Sequence, residues 1–418
     1  MDGASELYRR FAECAGVVTD SRRITPGSMF FALRGGSFDG NAFAADALKQ
    51  GARFAVIDSD EPLQRNPGLA DRFIRVEDSL AALQSLAREH RRRLAIPVIA
   101  IVGSNGKTTT KELVACVLAE KFEVSATRGN LNNHIGVPLT LLAMNSDTQF
   151  GVVEMGASAC GEIALLASIA EPNYGIITNI GRSHLEGFGG VEGIRRGKGE
   201  LFDFLSENGG TAFVARENET VAEMAAERSG MAAEYYSVSI ADGIESRLEG
   251  DYNRANIAAA TEVGLYFGVA PERIADAIGS YEPSNNRSQR VESGRNSIIV
   301  DCYNANPSSM AAALDNISKD ESARKLLILG DMLELGEWSA AEHERIAAAA
   351  LDVAGAGIVS VGGEFARALE RLGAGERAHS FATTAEAAEY LREHPAEGLK
   401  VLIKGSHKWA LEQLVELL

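Results

Sequence analysis

The residues Gly103-Ser104-Asn105-Gly106-Lys107-Thr108 stand between a run of mostly β-branched residues, Val98 to Val102, and a stretch of helical periodicity from Lys107 to Glu120. Glycines let a backbone wrap a phosphate, and the N–H groups of a helix start point at it. Lys107 adds positive charge and the Thr108 hydroxyl can hold Mg²⁺. In the longer nucleotide loop GxxxxGK[ST] a glycine would fall at position 101, which is Ile101 here, so this is a shorter GxxGKT loop. A glycine turn that merely caps a helix would not need Lys-Thr after it.

Two further polar groups end apolar strands. Glu154 closes Val152-Val153-Glu154, where a carboxylate can face the phosphate loop and bind Mg²⁺, a hard cation wanting oxygen ligands. His184 follows the strand Ile176 to Asn179. Three stretches group Asn with small residues: Arg128 to His134 (with Asn130, Asn132 and Asn133), Gly250 to Asn256, and Asp301 to Pro307 (with Asn304 and Asn306). Such amides serve turns and caps, and also pair with peptide amides, bases and sugar hydroxyls. Lys198, read alone, belongs to a basic surface stretch, Arg195 to Leu201.

The elements that must position these groups read as three α/β segments. The first runs to about Arg93, with strands at Met29 to Leu33 and Phe54 to Ile57 and a helix from Leu80 to Arg93. The cluster His90-Arg91-Arg92-Arg93 reads as a solvated helix end, its cations suiting the helix dipole. The second starts at Ile96-Pro97, with strands Val98 to Val102, Phe150 to Val153 and Tyr174 to Thr178. In open α/β sheets the site lies beyond the carboxyl ends of the strands, where these polar residues fall. After a linker at 282–286 comes a second α/β unit with strands Ser297 to Val300, Lys325 to Leu329, Gly357 to Val361 and Leu399 to Ile403.

Composition narrows the partners. A chain of 418 residues holds roughly two to three domains, and 45% hydrophobic content supplies ample cores. A net charge of −17 argues against nucleic acid or an anionic membrane as partner. Cys14, Cys116, Cys160 and Cys302 form no CxxC pair, which predicts reduced thiols without zinc or disulfides. The N-terminus has no apolar signal core and no stretch approaches the ~20 apolar residues of a membrane span. A cytoplasmic monomer is expected.

Taken together the stretches resemble the Mur ligase superfamily, and within it the branch that adds D-alanyl-D-alanine. Thr19 to Arg23, Pro26 to Leu33 and Phe38-Asp39-Gly40 look like its UDP-binding region. Thr127 to Thr140, Asp301 to Pro307, Leu329 to Gly336 and Lys404-Gly405-Ser406 match further elements in the right order.

The resemblance implies three domains: a UDP-binding domain (1–94), a central ATP-binding domain with a mainly parallel sheet (95–284) and a Rossmann-like domain (285–418). It implies ATP bound by Gly103, Ser104, Asn105, Gly106, Lys107, Thr108 and Thr109, with Asn256 at the adenine and Arg287 and Asp301 at the γ-phosphate and ribose. It implies one Mg²⁺ on Thr108 and Glu154, and a second on Glu154, His184 and Lys198, the lysine carried as a carbamate. Ser21, Arg22, Asn130, Asn132, Asn133, Asn304 and Asn306 are the expected substrate contacts. Asn41 stands where the family often has His.

The reaction so implied joins D-alanyl-D-alanine to a UDP-N-acetylmuramoyl-tripeptide through an acyl phosphate. The third-residue-adding ligase and folylpolyglutamate synthase are the nearest rivals, and a P-loop kinase a rival of another class. Whether the third peptide residue is lysine or diaminopimelate is left open.

Overall fold

The computed structural model describes residues 5–248, 250, 252–283, 289–320 and 324–418. Three parallel-rich sheets dominate, one in each segment of the chain, with a small hairpin of Arg34–Gly35 and Phe38–Asp39 beside the first.

The first sheet is four-stranded and runs in chain order through Val17–Val18, Met29–Phe31, Phe54–Ile57 and Phe73–Arg75, all parallel. The expected helix spans Ser79–Leu94 and starts where the Asp78 carboxylate accepts from the N–H groups of Leu80 and Ala81, at 2.8 and 2.9 Å. Its Leu83, Leu86 and Ala87 share one apolar cluster with Phe31 and Val56 of the first unit and Leu141 and Leu166 of the second, so this helix joins the two.

The helix end corrects the sequence reading. Arg92 and Arg93 are exposed, but His90 and Arg91 are buried. The His90 ring bonds the Met144 carbonyl at 2.9 Å. Arg91 donates to the Ala170 carbonyl at 2.9 Å and to Asn173 Oδ1 at 2.8 Å. Half of this cluster fastens two units rather than meeting water.

The central sheet has six parallel strands, ordered Ala232–Tyr236, Thr211–Ala215, Tyr174–Ile177, Val98–Val102, Phe150–Glu154 and Val124–Ala126. Val98–Val102 is fully buried, as continuous β-branched runs between two helix layers are. Its register sets the site: Ile101 pairs with both Glu154 and Ile176, so three strands end level.

The third sheet is ordered Gln289–Glu292, Ser297–Asp301, Leu399–Lys404, Arg324–Gly330, Ala356–Val361 and Ala378–Phe381, parallel except for the first pair. Here Lys404 pairs in register with both Asp301 and Leu329. Leu185, Phe188 and Ile194 of the central segment share one apolar cluster with Met310, Leu314 and Leu335 of the last, so the two units bury a common face.

Among the described residues no helix is long and apolar enough to cross a membrane, and all four cysteines are free thiols. Arg287 lies outside the described residues, as do 284–286 of the expected linker and Asp251.

Candidate functional site

The loop after Val98–Val102 takes its shape from two glycines. Gly103 has φ +154° and a Cβ there would meet Thr178 Oγ1 at 1.9 Å. Gly106 has φ +78° and its Cβ would lie 2.5 Å from Asn256 Oδ1. Both positions therefore exclude a side chain for reasons of space as well as backbone conformation. The helix Lys107–Ala119 follows at once, presenting its first-turn N–H groups and the positive end of its dipole. Lys107 lies back along the loop, its ammonium donating to the Gly103 carbonyl at 2.7 Å and the Ser104 carbonyl at 3.3 Å.

The middle of the loop is gripped from the neighbouring strand end. Asn179 Oδ1 accepts from the Asn105 N–H at 3.0 Å, and Asn179 Nδ2 donates back to the Asn105 carbonyl at 3.1 Å. Ser104 Oγ donates to the Gly181 carbonyl at 2.9 Å and accepts from the Gly181 N–H at 2.8 Å. This pre-forms the loop, so little ordering is left for a ligand to supply.

Glu154 is buried. Its Oε1 accepts from Asn132 Nδ2 at 2.7 Å, and its backbone N–H donates to Thr127 Oγ1 at 2.9 Å. Its Oε2 is buried with no hydrogen-bond partner. An unpaired buried carboxylate oxygen costs on the order of 1–3 kcal/mol or more, and a bound cation removes that cost. Among the described residues no three His, Cys, Asp or Glu side chains converge as a metal cluster. Mg²⁺ keeps several waters and takes one or two carboxylates plus phosphate oxygens, a demand that the single free Glu154 oxygen beside the phosphate loop can meet.

His184 has left-handed backbone (φ +52°) at the start of the short helix Leu185–Phe188, and its Nδ1 is hydrogen-bonded to the Glu334 carboxylate of the C-terminal unit. Burial pulls its pKa below the ordinary value, against the opposing pull of Glu334, and Lys107 and Lys198 add to the lowering.

Lys198 overturns the reading of a surface stretch. It sits in the helix Val191–Asn208 at 2% exposure, its ammonium 5.1 Å from the centre of the Phe188 ring. Burial, and then the charge of Lys107, push its pKa down to about 7, with Glu162 opposing. The helical period turns Gly197, Lys198 and Leu201 inward while Arg196 stays exposed.

The phosphate loop from Ser104 on, Glu154 and His184 line one cleft of about 830 Å³, whose lining does not include Lys198. It takes Ser104 to Thr109 from the phosphate loop, Glu154 and His184 from the neighbouring strand ends, and Asn132 and Asn133 from the Asn-rich stretch. From the C-terminal unit come Asp301, Asn304, Asn306 and Lys404. The Asp301 carboxylate accepts from the Lys404 ammonium at 2.6 Å. A second cavity of about 400 Å³ adjoins it, sharing Asn179, Tyr252 and Asn256.

Comparison with known proteins agrees along the whole chain. Family models described as Mur ligase family catalytic domain, Mur ligase middle domain, and Mur ligase glutamate ligase domain match residues 13–91, 101–263 and 286–407. A Bacillus subtilis protein, UDP-N-acetylmuramoyl-tripeptide--D-alanyl-D-alanine ligase, is 37% identical over 353 residues, covering 80% of this chain and 77% of the relative. The chain belongs to the Mur ligase family. A crystal structure of MurF from Acinetobacter baumannii superposes with a TM-score of 0.84 at 29% identity, covering 98% of this chain and 97% of that one. A MurF ligase from Thermotoga maritima, solved in complex with ADP, shares the fold with a TM-score of 0.82 at 24% identity, covering 99% and 98%. The architecture is thus the three-domain Mur ligase fold.

Not every expected residue of this Mur ligase reaches the cleft. Ser21 and Arg22 lie on the N-terminal unit outside its lining, with Arg22 paired to Asp20 at 2.8 Å. Asn130 is exposed and outside the lining too. Asn133 lines the cleft while its Oδ1 accepts from the Gly136 N–H at 2.9 Å. Asn256 is held by Thr110 Oγ1 at 3.0 Å and Asn253 Oδ1 at 2.8 Å. Asn41 is buried, bonding Asp39 at 2.6 Å and Asp58 at 2.7 Å. It serves as a strut of the N-terminal unit.

Sequence reasoning missed Asn179, although a polar residue ending the third strand was visible. It also missed Glu334 as the partner of His184, for which spacing carries no signal because 150 residues separate them.

Proposed function

We propose that this Mur ligase joins the terminal carboxylate of UDP-N-acetylmuramoyl-tripeptide to the amino group of D-alanyl-D-alanine, cleaving ATP to ADP and phosphate. The carrying observation is the single cleft in which the phosphate loop, the buried Glu154 oxygen and the polar C-terminal residues Asp301, Asn304, Asn306 and Lys404 face one another. The substrates follow from the relatives' activity.

A carboxylate does not condense with an amine at neutral pH and must first be activated. The loop amides and Lys107 hold the triphosphate. A tripeptide carboxylate oxygen attacks the γ-phosphorus, the bond to the ADP oxygen breaks, and an acyl phosphate forms. The neutral amine of D-alanyl-D-alanine then attacks the acyl carbon, the carbon–oxygen bond to phosphate breaks, and the nitrogen sheds its extra proton. Positioning and charge neutralisation supply most of the rate in phosphoryl transfer. Docking of the C-terminal unit excludes water that would hydrolyse the acyl phosphate. We place the adenine in the smaller cavity beside Asn256, and Asp301 at the ribose.

The Glu154 oxygen fits a cation. Thr108 and Glu154 would hold one Mg²⁺, and Glu154, His184 and a carbamylated Lys198 a second. When bound, Mg²⁺ supplies the positive charge that offsets repulsion between the triphosphate and the incoming carboxylate. A lysine amine must be neutral to add to CO₂, and the environment of Lys198 favours the neutral form. The adduct loses a proton and becomes an oxygen anion. We assign residues 1–94 to UDP binding, with Ser21 and Arg22 as contacts, 95–284 to ATP and 285–418 to closure. Asn130, Asn132 and Asn133 would meet the tripeptide, and Asn304 and Asn306 the dipeptide. We read the protein as a monomer, and ATP and UDP-linked substrates support the cytoplasm.

The test incubates the protein with ATP, Mg²⁺, D-alanyl-D-alanine and the lysine or the diaminopimelate tripeptide, and in a parallel reaction with ATP, Mg²⁺, folate and glutamate, and weighs the products. A UDP-linked pentapeptide with stoichiometric ADP is expected. Ligation of glutamate to a folate instead, or ADP release without a new amide, overturns the reading.

A further inference from the structure

The His184–Glu334 contact joins two units and has a chemical consequence. The Glu334 carboxylate, when ionised, can only accept hydrogen bonds. Its partner on His184 is Nδ1, so Nδ1 must carry the hydrogen, and in a neutral ring the lone pair is then on Nε2. Ligating histidines are commonly oriented this way, by a carboxylate on the ring nitrogen away from the metal.

The contact is built into the fold. Glu334 and His184 both adopt left-handed backbone, at φ +60° and +52°, which side chains rarely take unless the surroundings impose it. The backbone beside them is clamped, with the Glu186 N–H donating to the Glu334 carbonyl at 3.3 Å. Gly336, at φ +52°, has no room to spare, since a Cβ would lie 3.1 Å from the Glu186 side chain. Leu335 is buried in the same apolar cluster as Leu185 and Phe188. The loop is anchored on its own unit. The Asp331 carboxylate accepts from the Glu364 and Phe365 N–H groups at 2.9 and 2.8 Å, and the Met332 N–H donates to His343 Nε2 at 3.0 Å. Glu334 is itself exposed, so its carboxylate reaches His184 from the solvent side.

We infer that Glu334 is a positioning residue: delivered by the docked C-terminal unit, it sets the tautomer and orientation of His184 and so completes the cation site only in the closed arrangement. This rests on the reading of His184 as a cation ligand. It links the affinity for the nucleotide-bound cation to domain docking, because a ligand that binds one arrangement better favours that arrangement.

The test compares the parent with Glu334→Ala and Glu334→Gln, each verified as folded by circular dichroism. Nitrogen-15 NMR of the histidine rings reads the tautomer, and electron paramagnetic resonance with Mn²⁺ as probe reads cation affinity in the presence of a non-hydrolysable ATP analogue. The parent should show His184 with hydrogen on Nδ1. Glu334→Ala should lose that preference and bind Mn²⁺ roughly 10–100-fold more weakly, the usual cost of removing such a partner. Glu334→Gln keeps an acceptor oxygen and should fall between. An imidazolium or an Nε2–H ring in the parent, or equal tautomer and Mn²⁺ affinity in parent and Glu334→Ala, overturns the inference alone. A parent that binds no Mn²⁺ with nucleotide overturns the cation placement proposed above and this inference with it.

Discussion

The side-chain amide of Asn306 donates to Oδ1 of Asn105 at 2.8 Å, tying the first turn of a C-terminal helix to the middle of the phosphate loop. The same Asn306 caps its own helix, Pro307–Ser318, by accepting from the Ser309 N–H at 2.9 Å. Asn306→Asp keeps the cap and sets acceptor against acceptor at Asn105, whereas Asn306→Ala loses both. We expect Asn306→Asp to melt near the parent while turnover falls several-fold. Asn306→Ala should in addition lose about 0.5–2 kcal/mol of stability. Thermal melts with steady-state kinetics separate the two effects.

Gly106→Ala puts a methyl group 2.5 Å from Asn256 Oδ1 on left-handed backbone. The strain is on the order of 1–3 kcal/mol and falls on the loop and the adjoining cavity together. Titration calorimetry with an ATP analogue should show affinity reduced at least tenfold, with the far-ultraviolet dichroism unchanged.

Lys107→Ala removes the one lysine of the phosphate loop. Tripeptide-dependent ADP release should fall by at least a hundredfold, the scale on which charge-stabilising groups act. Retained ADP release at the parent rate would remove Lys107 from the reaction. Chelation with EDTA should abolish turnover of the parent, and added Mg²⁺ should restore it.

Lys198 makes a prediction about pH. Its folded pKa is about 7, below the ordinary lysine value of 10.5. Between those values the unfolded chain binds the proton and the folded chain does not, so stability due to this group rises with pH across that window. Below about 7 the burial penalty stands in full. In CO₂-free buffer the melting temperature of the parent, measured against Lys198→Met, should therefore climb from pH 7 to pH 9.5. Bicarbonate should raise parent activity and yield a carbamate carbon signal by carbon-13 NMR. Lys198→Ala should still bind ATP but lose most turnover.

Much of the site was legible in the chain because its parts are local. A strand, a glycine turn, Lys-Thr and a helix are adjacent in sequence, and each is dictated by short-range sterics and hydrogen bonding. Glu154 was legible for a related reason: an apolar strand ending in a carboxylate places it at the sheet edge whatever the neighbouring strands are. The mostly parallel sheets, too, follow from apolar strands alternating with helical stretches.

Lys198 shows where local reading stops. Its neighbours in sequence are arginines and glycines, and only the packing of Val191–Asn208 against Phe188 decides that this one cation is buried. The same holds for Arg91, Glu334 and Asn179, whose partners lie 74 or more residues away. By itself the sequence determined the phosphate loop, the strand-end carboxylate and the alternating architecture. The tertiary structure alone decided which charges lose their water, which amides grip the loop and which unit completes the His184 environment. Burial and long-range pairing depend on sheet order and unit docking, and no local pattern encodes them.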